Sequence, residues 1–365
     1  MRNRRLKKIR KILIIRMSSI GDVILTSPLV RQLRENFTDA QIDFLIRSDY
    51  AELVKYNPNL SHILQYDVQT GWKGLRELRE FVKKQGYDIV LDLHRNFRSF
   101  YLRRFSPKPI IFKINKHGVR RFLWVKFKIN LAKEDFNKNS SVAERYLRAG
   151  SELQTFKNDL KLDLYLPQKT AEKGKLLWQK LKIEQFRVIM APGARHFTKR
   201  WPAELYSELI LKINQIYGWR TLLVGSADEL SLMEDIQKKV GNEIADTSAG
   251  YFTLLETAAL IKAAPLFISN DSGLMHVAAA VETPQIAIFG STTPELGFFP
   301  INPKAVVLEN QNLNCRPCTH IGRKSCPKKH FKCMIEITPQ RVLGIVKEMT
   351  EKTAFKNNKI LTPAN

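Results

Sequence analysis

The residues with the clearest capacity for chemistry lie in four short stretches, each directly after an apolar run. Ser18-Ser19-Ile20-Gly21-Asp22 sets one carboxylate among small side chains. Such a carboxylate can take a proton from a hydroxyl held within about 2.6–3.2 Å. At the start of a helix it is favoured in its ionised form. Its neighbours Ser18, Ser19 and Gly21 are small. The second stretch, Pro192 to Pro202, carries Lys199 and Arg200 side by side. A point charge next to a bidentate fork suits a diphosphate. The third, Gly225 to Glu229, offers the adjacent carboxylates Asp228 and Glu229. The fourth runs from Ser269 to His276 and is followed by GSTTPELG, residues 290 to 297. There Asp271 and Ser272 end a strand, and Gly273 opens a helix rich in small residues (Ala278, Ala279, Ala280). Free N–H groups and the positive dipole end make the start of that helix an anion site. Taken singly, each feature has a plainer reading. Asp271 can be an N-cap, Asp22 a first-turn helix carboxylate, and Lys199-Arg200 surface decoration.

These stretches need elements to hold them. KILIIR, QIDFLIR and DIVLDLH read as buried strands, separated by the helices GDVILTSPLVRQLREN and GLRELREFVKKQGY. Residues 95 to 150 are less regular, and VRRFLWVKFKINLA within them reads as an amphipathic helix with a basic face. A second alternating series begins near 186 with FRVIMAPG and runs through WRTLLVGS, EIADTS, PLFISND and TPQIAIFGS. Strands alternating with helices predict parallel sheets. The expected class is α/β, with two Rossmann-like doubly wound domains facing a central cleft. The expected boundaries are 1–180, 181–345 and a C-terminal tail over 346–365, with the Lys-rich segment from about 167 to 182 as the connection. Neither half carries GxGxxG or GxxxxGK[ST], which argues against a dehydrogenase or a P-loop enzyme.

The chain has 365 residues and a formal net charge of +25. Residues 1 to 150 hold 32 Lys/Arg against 14 Asp/Glu, a net of +18. From Leu93 to Lys133 there are twelve basic residues and no acidic one, interleaved with Phe97, Phe100, Tyr101, Phe105, Phe112, Phe122, Trp124 and Phe127. A solvated basic face over core aromatics would look like this. So would a surface for anionic membrane, anionic glycolipid or nucleic acid. No helix-turn-helix, zinc-finger or RNA-recognition signature supports nucleic acid. No apolar run reaches the ~18–20 residues of a membrane span. The basic N-terminus is followed only by Ile12 to Ile15 before Arg16 interrupts, which does not read as a secretory signal. The expectation is a cytoplasmic protein.

The four cysteines fall at Cys315, Cys318, Cys326 and Cys333. Their clustering argues against a secreted disulfide scaffold. The spacing suits a structural zinc site with four thiolate ligands, remote from the chemistry. Four reduced thiols in a loop is the other reading.

In this order, SSIGDV, PGA…KRWP, VGSADE, SNDSGLMHVAAA with TPQIAIFGSTTP, and the late C-x-x-C resemble glycosyltransferase family 9. These are the ADP-heptose:lipopolysaccharide heptosyltransferases and their relatives. The resemblance spans roughly residues 10 to 345, and the NDSGLMH and FGSTTP segments are its most specific part. It implies a GT-B fold, with the acceptor on the N-terminal domain and the nucleotide sugar on the C-terminal one. It also implies inversion at the anomeric carbon without a catalytic metal or cofactor. By the resemblance Asp22 is the general base. Lys199 contacts the donor diphosphate with Arg200 assisting, and Glu229 is preferred over Asp228 for the ribose or nearby hydroxyls. Asp271 touches the donor sugar, and Ser272 and Gly273 give N–H groups to phosphate. His276 either orients phosphate or packs in its helix. The implied partners are ADP-heptose and an anionic glycolipid such as Kdo-lipid A at the inner face of the cytoplasmic membrane. Arg95, Arg98, Arg103, Arg104, Arg120 and Arg121 are the cations expected to meet that acceptor and membrane. A relative moving a different sugar from another nucleotide sugar is the near alternative. A GT-B-like sugar-nucleotide epimerase would need a donor-side acid/base set and no glycolipid acceptor.

Overall fold

The computed structural model describes residues 9–105, 107–129, 141–151, 153, 156–170, 172 and 186–358. In the first half, strand β1 (Lys11–Ile15) leads into helices α1 (Ile20–Ile24) and α2 (Ser27–Asn36). Then come β2 (Gln41–Arg47), β3 (His62–Tyr66), α3 (Gly71–Gln85), β4 (Ile89–Asp92), α4 (Phe97–Leu102), β5 (Ile110–Lys113), α5 (Gly118–Phe127) and α6 (Val142–Gly150). The second half runs β6 (Phe186–Ala191), α7 (Ala203–Tyr217), β7 (Arg220–Leu223), α8 (Leu230–Val240), β8 (Ala245–Thr247), α9 (Leu254–Ala263), β9 (Leu266–Asn270) and α10 (Gly273–Ala280). It closes with β10 (Gln285–Phe289), β11 (Ala305–Glu309), α11 (Lys332–Ile335) and α12 (Pro339–Asn358).

All strand pairings are parallel. The first sheet has order β3-β2-β1-β4-β5 and the second β11-β10-β9-β6-β7-β8. The central strands are apolar on both faces, as burial between two helix layers requires: Ile12 to Ile15 are fully buried. Strand order reverses between β1 and β4 in the first sheet and between β6 and β9 in the second. Open α/β sheets bind ligands beyond the carboxyl ends of the strands at such switch points. The turn with Asp22 follows β1, the loop with Lys199 follows β6, and Asp271 follows β9. Topology alone therefore gathers three of the four chemical stretches at the two switch points. Glu229 follows β7, one strand over.

One apolar cluster continues from the first sheet into the second, joining Ile12, Ile14 and Leu91 to Ile189, Phe267 and Val277. The halves touch most closely where α1 meets α10. A Cβ at Gly21 would stand 2.4 Å from His276 Cδ2, and one at Gly273 would stand 2.8 Å from Ile20 Cβ. Both positions need glycine for that approach.

Three expectations change. The single helix expected after β1 is two helices. Pro28 has no N–H for the carbonyl of Ile24, so the first helix stops and Thr26 caps a second. The expected tail from 346 begins inside α12, with Val346 fully buried against the second core. Strands β3, β5 and β11 were not expected; they are short and lie at or near sheet edges. The expected boundary at 180/181 lies outside the described residues.

Candidate active site

Asp22 sits at the third position of α1, where its Oδ2 accepts from the Ser19 backbone N–H (3.2 Å) and hydroxyl (3.0 Å). Its Oδ1 meets Arg16 Nη2 at 2.5 Å and the Tyr146 hydroxyl at 3.5 Å. Burial pushes this carboxyl up, but Arg16 and the Ser19 donors outweigh it and hold the group below its ordinary value. Asp22 is thus ionised at neutral pH. Arg16 is buried and also donates from Nη1 to the Leu93 carbonyl at 2.7 Å. His94, just past β4, is pushed down to about 4 by burial and by the charges of Arg16 and Lys116. It is neutral at pH 7, and its Nδ1 is buried without a partner.

Across the cleft, Lys199 Nζ pairs with Asp271 Oδ2 at 2.7 Å, and the same oxygen accepts from the Thr292 hydroxyl at 2.6 Å. Arg200 donates from Nε to the Ala194 carbonyl at 2.6 Å, which pins the loop under Lys199. Buried Asn270 fixes that loop to the end of β9. It donates to the Pro192 carbonyl at 2.7 Å and accepts from the Trp201 N–H at 3.0 Å. Ser272 caps α10 with its hydroxyl buried and unpartnered. His276 is buried one turn into α10, pushed down to about 4 by burial, with Nδ1 also unpartnered. Glu229 folds back onto the Ser226 N–H at 3.0 Å. Its carboxylate fills the space where a side chain on Gly193 or Gly225 would lie. Asp228 points into solvent. Of the two carboxylates, the structure brings Glu229 to the loops that hold Lys199.

The sequence model of glycosyltransferase family 9 (heptosyltransferase) matches residues 75–330. The chain belongs to this family. It is 30% identical over 344 residues to the lipooligosaccharide heptosyltransferase 2 of Campylobacter jejuni, covering 91% of this chain and 96% of that one. Among solved structures it is similar to a glycosyl transferase family 9 protein from Veillonella parvula. There the TM-score is 0.76 at 22% identity, with 94% of this chain and 98% of that chain covered. It is also similar to the E. coli ADP-heptose lps heptosyltransferase II, with TM-score 0.71 at 23% identity over 94% and 99% of the two chains. The family makes the chain a glycosyltransferase, and the likeness makes its fold GT-B.

Within this family member the basic region divides. Arg98, Arg104 and Arg120 are exposed and Arg121 is half-buried. Arg95 is exposed, and it donates from Nη1 to the Ile114 carbonyl at 3.0 Å. Arg103 is a correction. It is buried, and its Nε pairs with the fully buried Asp92 at 3.2 Å, so it braces the end of β4 and does not belong to the exposed basic surface. The aromatics do not all serve the core either. Trp72, Phe97, Phe122 and Phe127 are exposed, and α5 buries none of its residues.

The cysteine loop departs from expectation in its position. Among the described residues no group of three or more His, Cys, Asp or Glu side chains could hold a metal ion. The contact found there is Cys315 Sγ to His330 Nε2 at 3.9 Å. Hydrogen bonds tie the loop to its neighbours. Buried Arg316 donates to the carbonyls of Gly290 and Thr292 and pairs with Glu309 at 2.7 Å. Nor is the loop remote from the chemistry. The Cys318 N–H reaches the Ser291 carbonyl at 3.1 Å, and the Arg323 N–H reaches Thr198 Oγ1 at 2.9 Å. It therefore backs the residues next to Thr292 and Lys199.

Sequence reasoning missed Arg16, Tyr146, His94, Asn270 and Thr292. Asn270 and Thr292 lie inside the quoted motifs, Asn270 directly beside Asp271. Arg16, the charge that breaks an apolar strand two residues before the SSIGD turn, was the available signal for the first of them.

Proposed function

We propose that this chain transfers a heptose from ADP-heptose to the inner core, Kdo or heptose, of a lipopolysaccharide or lipooligosaccharide, inverting the anomeric carbon. The names of its relatives support the donor and acceptor classes. The observation that carries the mechanism is one ionised carboxylate, Asp22, at the first switch point, opposite a cation and a helix N-terminus, Lys199 and α10, at the second.

In this reading an acceptor hydroxyl gives its proton to Asp22 as its oxygen attacks the anomeric carbon. The new C–O bond forms as the bond to the diphosphate breaks, and ADP leaves with that electron pair. Its growing charge is met by Lys199, with Arg200 assisting, and by the N–H groups of Ser272 and Gly273. His276, neutral and buried, orients phosphate through its ring N–H. Glu229 holds ribose hydroxyls, and Asp271, steadied by Thr292, holds hydroxyls of the donor sugar. No cofactor enters the step. Arg98, Arg104, Arg120 and Arg121, with Phe97, Phe122 and Phe127, form a basic and aromatic face for the anionic glycolipid. That face makes a peripheral contact with the cytoplasmic side of the inner membrane. No described helix is long and apolar enough to cross a membrane.

A donor panel tests this. Purified protein is given Kdo-lipid A and heptosylated acceptors with ADP-heptose, ADP-glucose or UDP-sugars, and glycolipid mass is read. One added heptose, from ADP-heptose alone, is expected. Transfer only from another nucleotide sugar would overturn the donor assignment.

A further inference from the structure

The carboxylate of Asp22 has no unspent acceptor site. Its two oxygens offer about four lone-pair positions. Arg16 and Tyr146 use those of Oδ1, and the two donors of Ser19 use those of Oδ2. To receive a proton, one position must be vacated. The two oxygens are not held alike. Arg16 is buried and anchored at three points: its own place past β1, the Leu93 carbonyl past β4, and the Tyr146 ring of α6, whose centroid lies 5.7 Å from its guanidinium carbon. The Ser19 hydroxyl, on a half-buried residue, turns about a single bond.

We infer that Arg16 is a positioning residue of the transfer: it locks Oδ1 and leaves Oδ2 to receive the acceptor proton, with the Ser19 hydroxyl yielding its place. The inference rests on Asp22 acting as the base. Arg16 neither gives nor takes a proton. It aims the carboxylate and keeps it ionised within a buried turn. Other groups face the pair from each packed element: Tyr146 of α6, Asp92 and His94 at and past β4, Lys116 past β5, and His276 of α10. Asp92 is committed to Arg103, and both histidines are neutral at pH 7. Lys116 donates to the Arg95 carbonyl at 3.1 Å. Arg16 is the cation that touches Asp22.

The test is the pH profile of kcat/KM for wild type, Arg16→Lys, Arg16→Gln and Asp22→Asn, with ADP binding as the check on folding. Arg16→Gln is expected to lower kcat about 100-fold with donor KM nearly unchanged. Its acid limb should move up by about one pH unit or more, because burial of Asp22 is no longer opposed by a cation. Arg16→Lys should lie between, about tenfold down in kcat, since one ammonium cannot span both Leu93 and Asp22 as the fork does. A uniform loss of rate with the limb unmoved in both variants would show a merely structural role and overturn the inference. If Arg16→Gln does not fold, an Arg16→Lys enzyme with wild-type kcat and limb overturns it as well. An active Asp22→Asn enzyme would instead sink the base assignment, so the two failures are distinguishable.

Discussion

Asp22 and Asp271 occupy the same kind of place in the two halves. Each follows a central strand at a switch point, each stands at the start of a helix, and each pairs with one cation, joined by one hydroxyl at Asp271 and two at Asp22. Their surroundings differ. Asp271 is 4% exposed, and its cation comes from another loop, so the pair locks β6 to β9. Asp22 is 18% exposed, and its cation comes from the end of its own strand. The first arrangement welds two loops together. The second leaves a carboxylate partly open to solvent. Equal elements thus serve unequal tasks, decided by access and by which element supplies the counter-charge.

Mutations can break that contrast. Asp22→Asn should lower kcat about 10²–10⁴-fold while leaving ADP affinity intact, read by steady-state kinetics and calorimetry. Lys199→Ala should lower kcat/KM for the donor about 10²–10³-fold and weaken ADP binding. It also leaves buried Asp271 without its cation, so a thermal melt should fall further than for Asp22→Asn. Should the two variants show the same pattern of ADP affinity and melting, the contrast between base and weld fails. Gly21→Ala sharpens it in another way. The added methyl meets buried His276, at a cost of about 1–3 kcal/mol, and His276→Ala should relieve much of that in a double-mutant cycle. Additive effects would mean the halves do not meet at this point in solution.

The smallest effect is one of pH on stability. His94 and His276 titrate near 4 in the fold against an ordinary 6.5. Between those values the unfolded chain binds more protons than the native one, so stability rises with pH. The urea midpoint should therefore decline as pH falls from about 6.5 to 4, and His276→Gln should flatten that decline. An unchanged slope in the variant would place the ring in contact with water.

Much of this was legible in the sequence because α/β order is written in apolar runs and because loops after strands carry the chemistry. Asp22, Lys199, Glu229 and Asp271 stand where the alternation puts them. Pairing across sequence was not legible. Arg103 looks like the cations around it, and only the return of β4 beneath it shows that Asp92 takes it inside. Tyr146 reaches Asp22 from 124 residues away. Arg16 resembles the end of a strand until the turn folds Asp22 back onto it. The cysteine spacing suits a metal by count, but nothing in it shows that Arg316 ties the loop to the carbonyls of Gly290 and Thr292.

The most direct test is the anomeric configuration of the product. Wild-type protein is supplied with ADP-heptose and a Kdo-terminated glycolipid, and the new linkage is read by NMR. A single carboxylate on the acceptor side, opposite the donor loops, predicts one added heptose with its anomeric centre inverted relative to the donor. Retention would require a nucleophile in place of a base and would contradict the role given to Asp22.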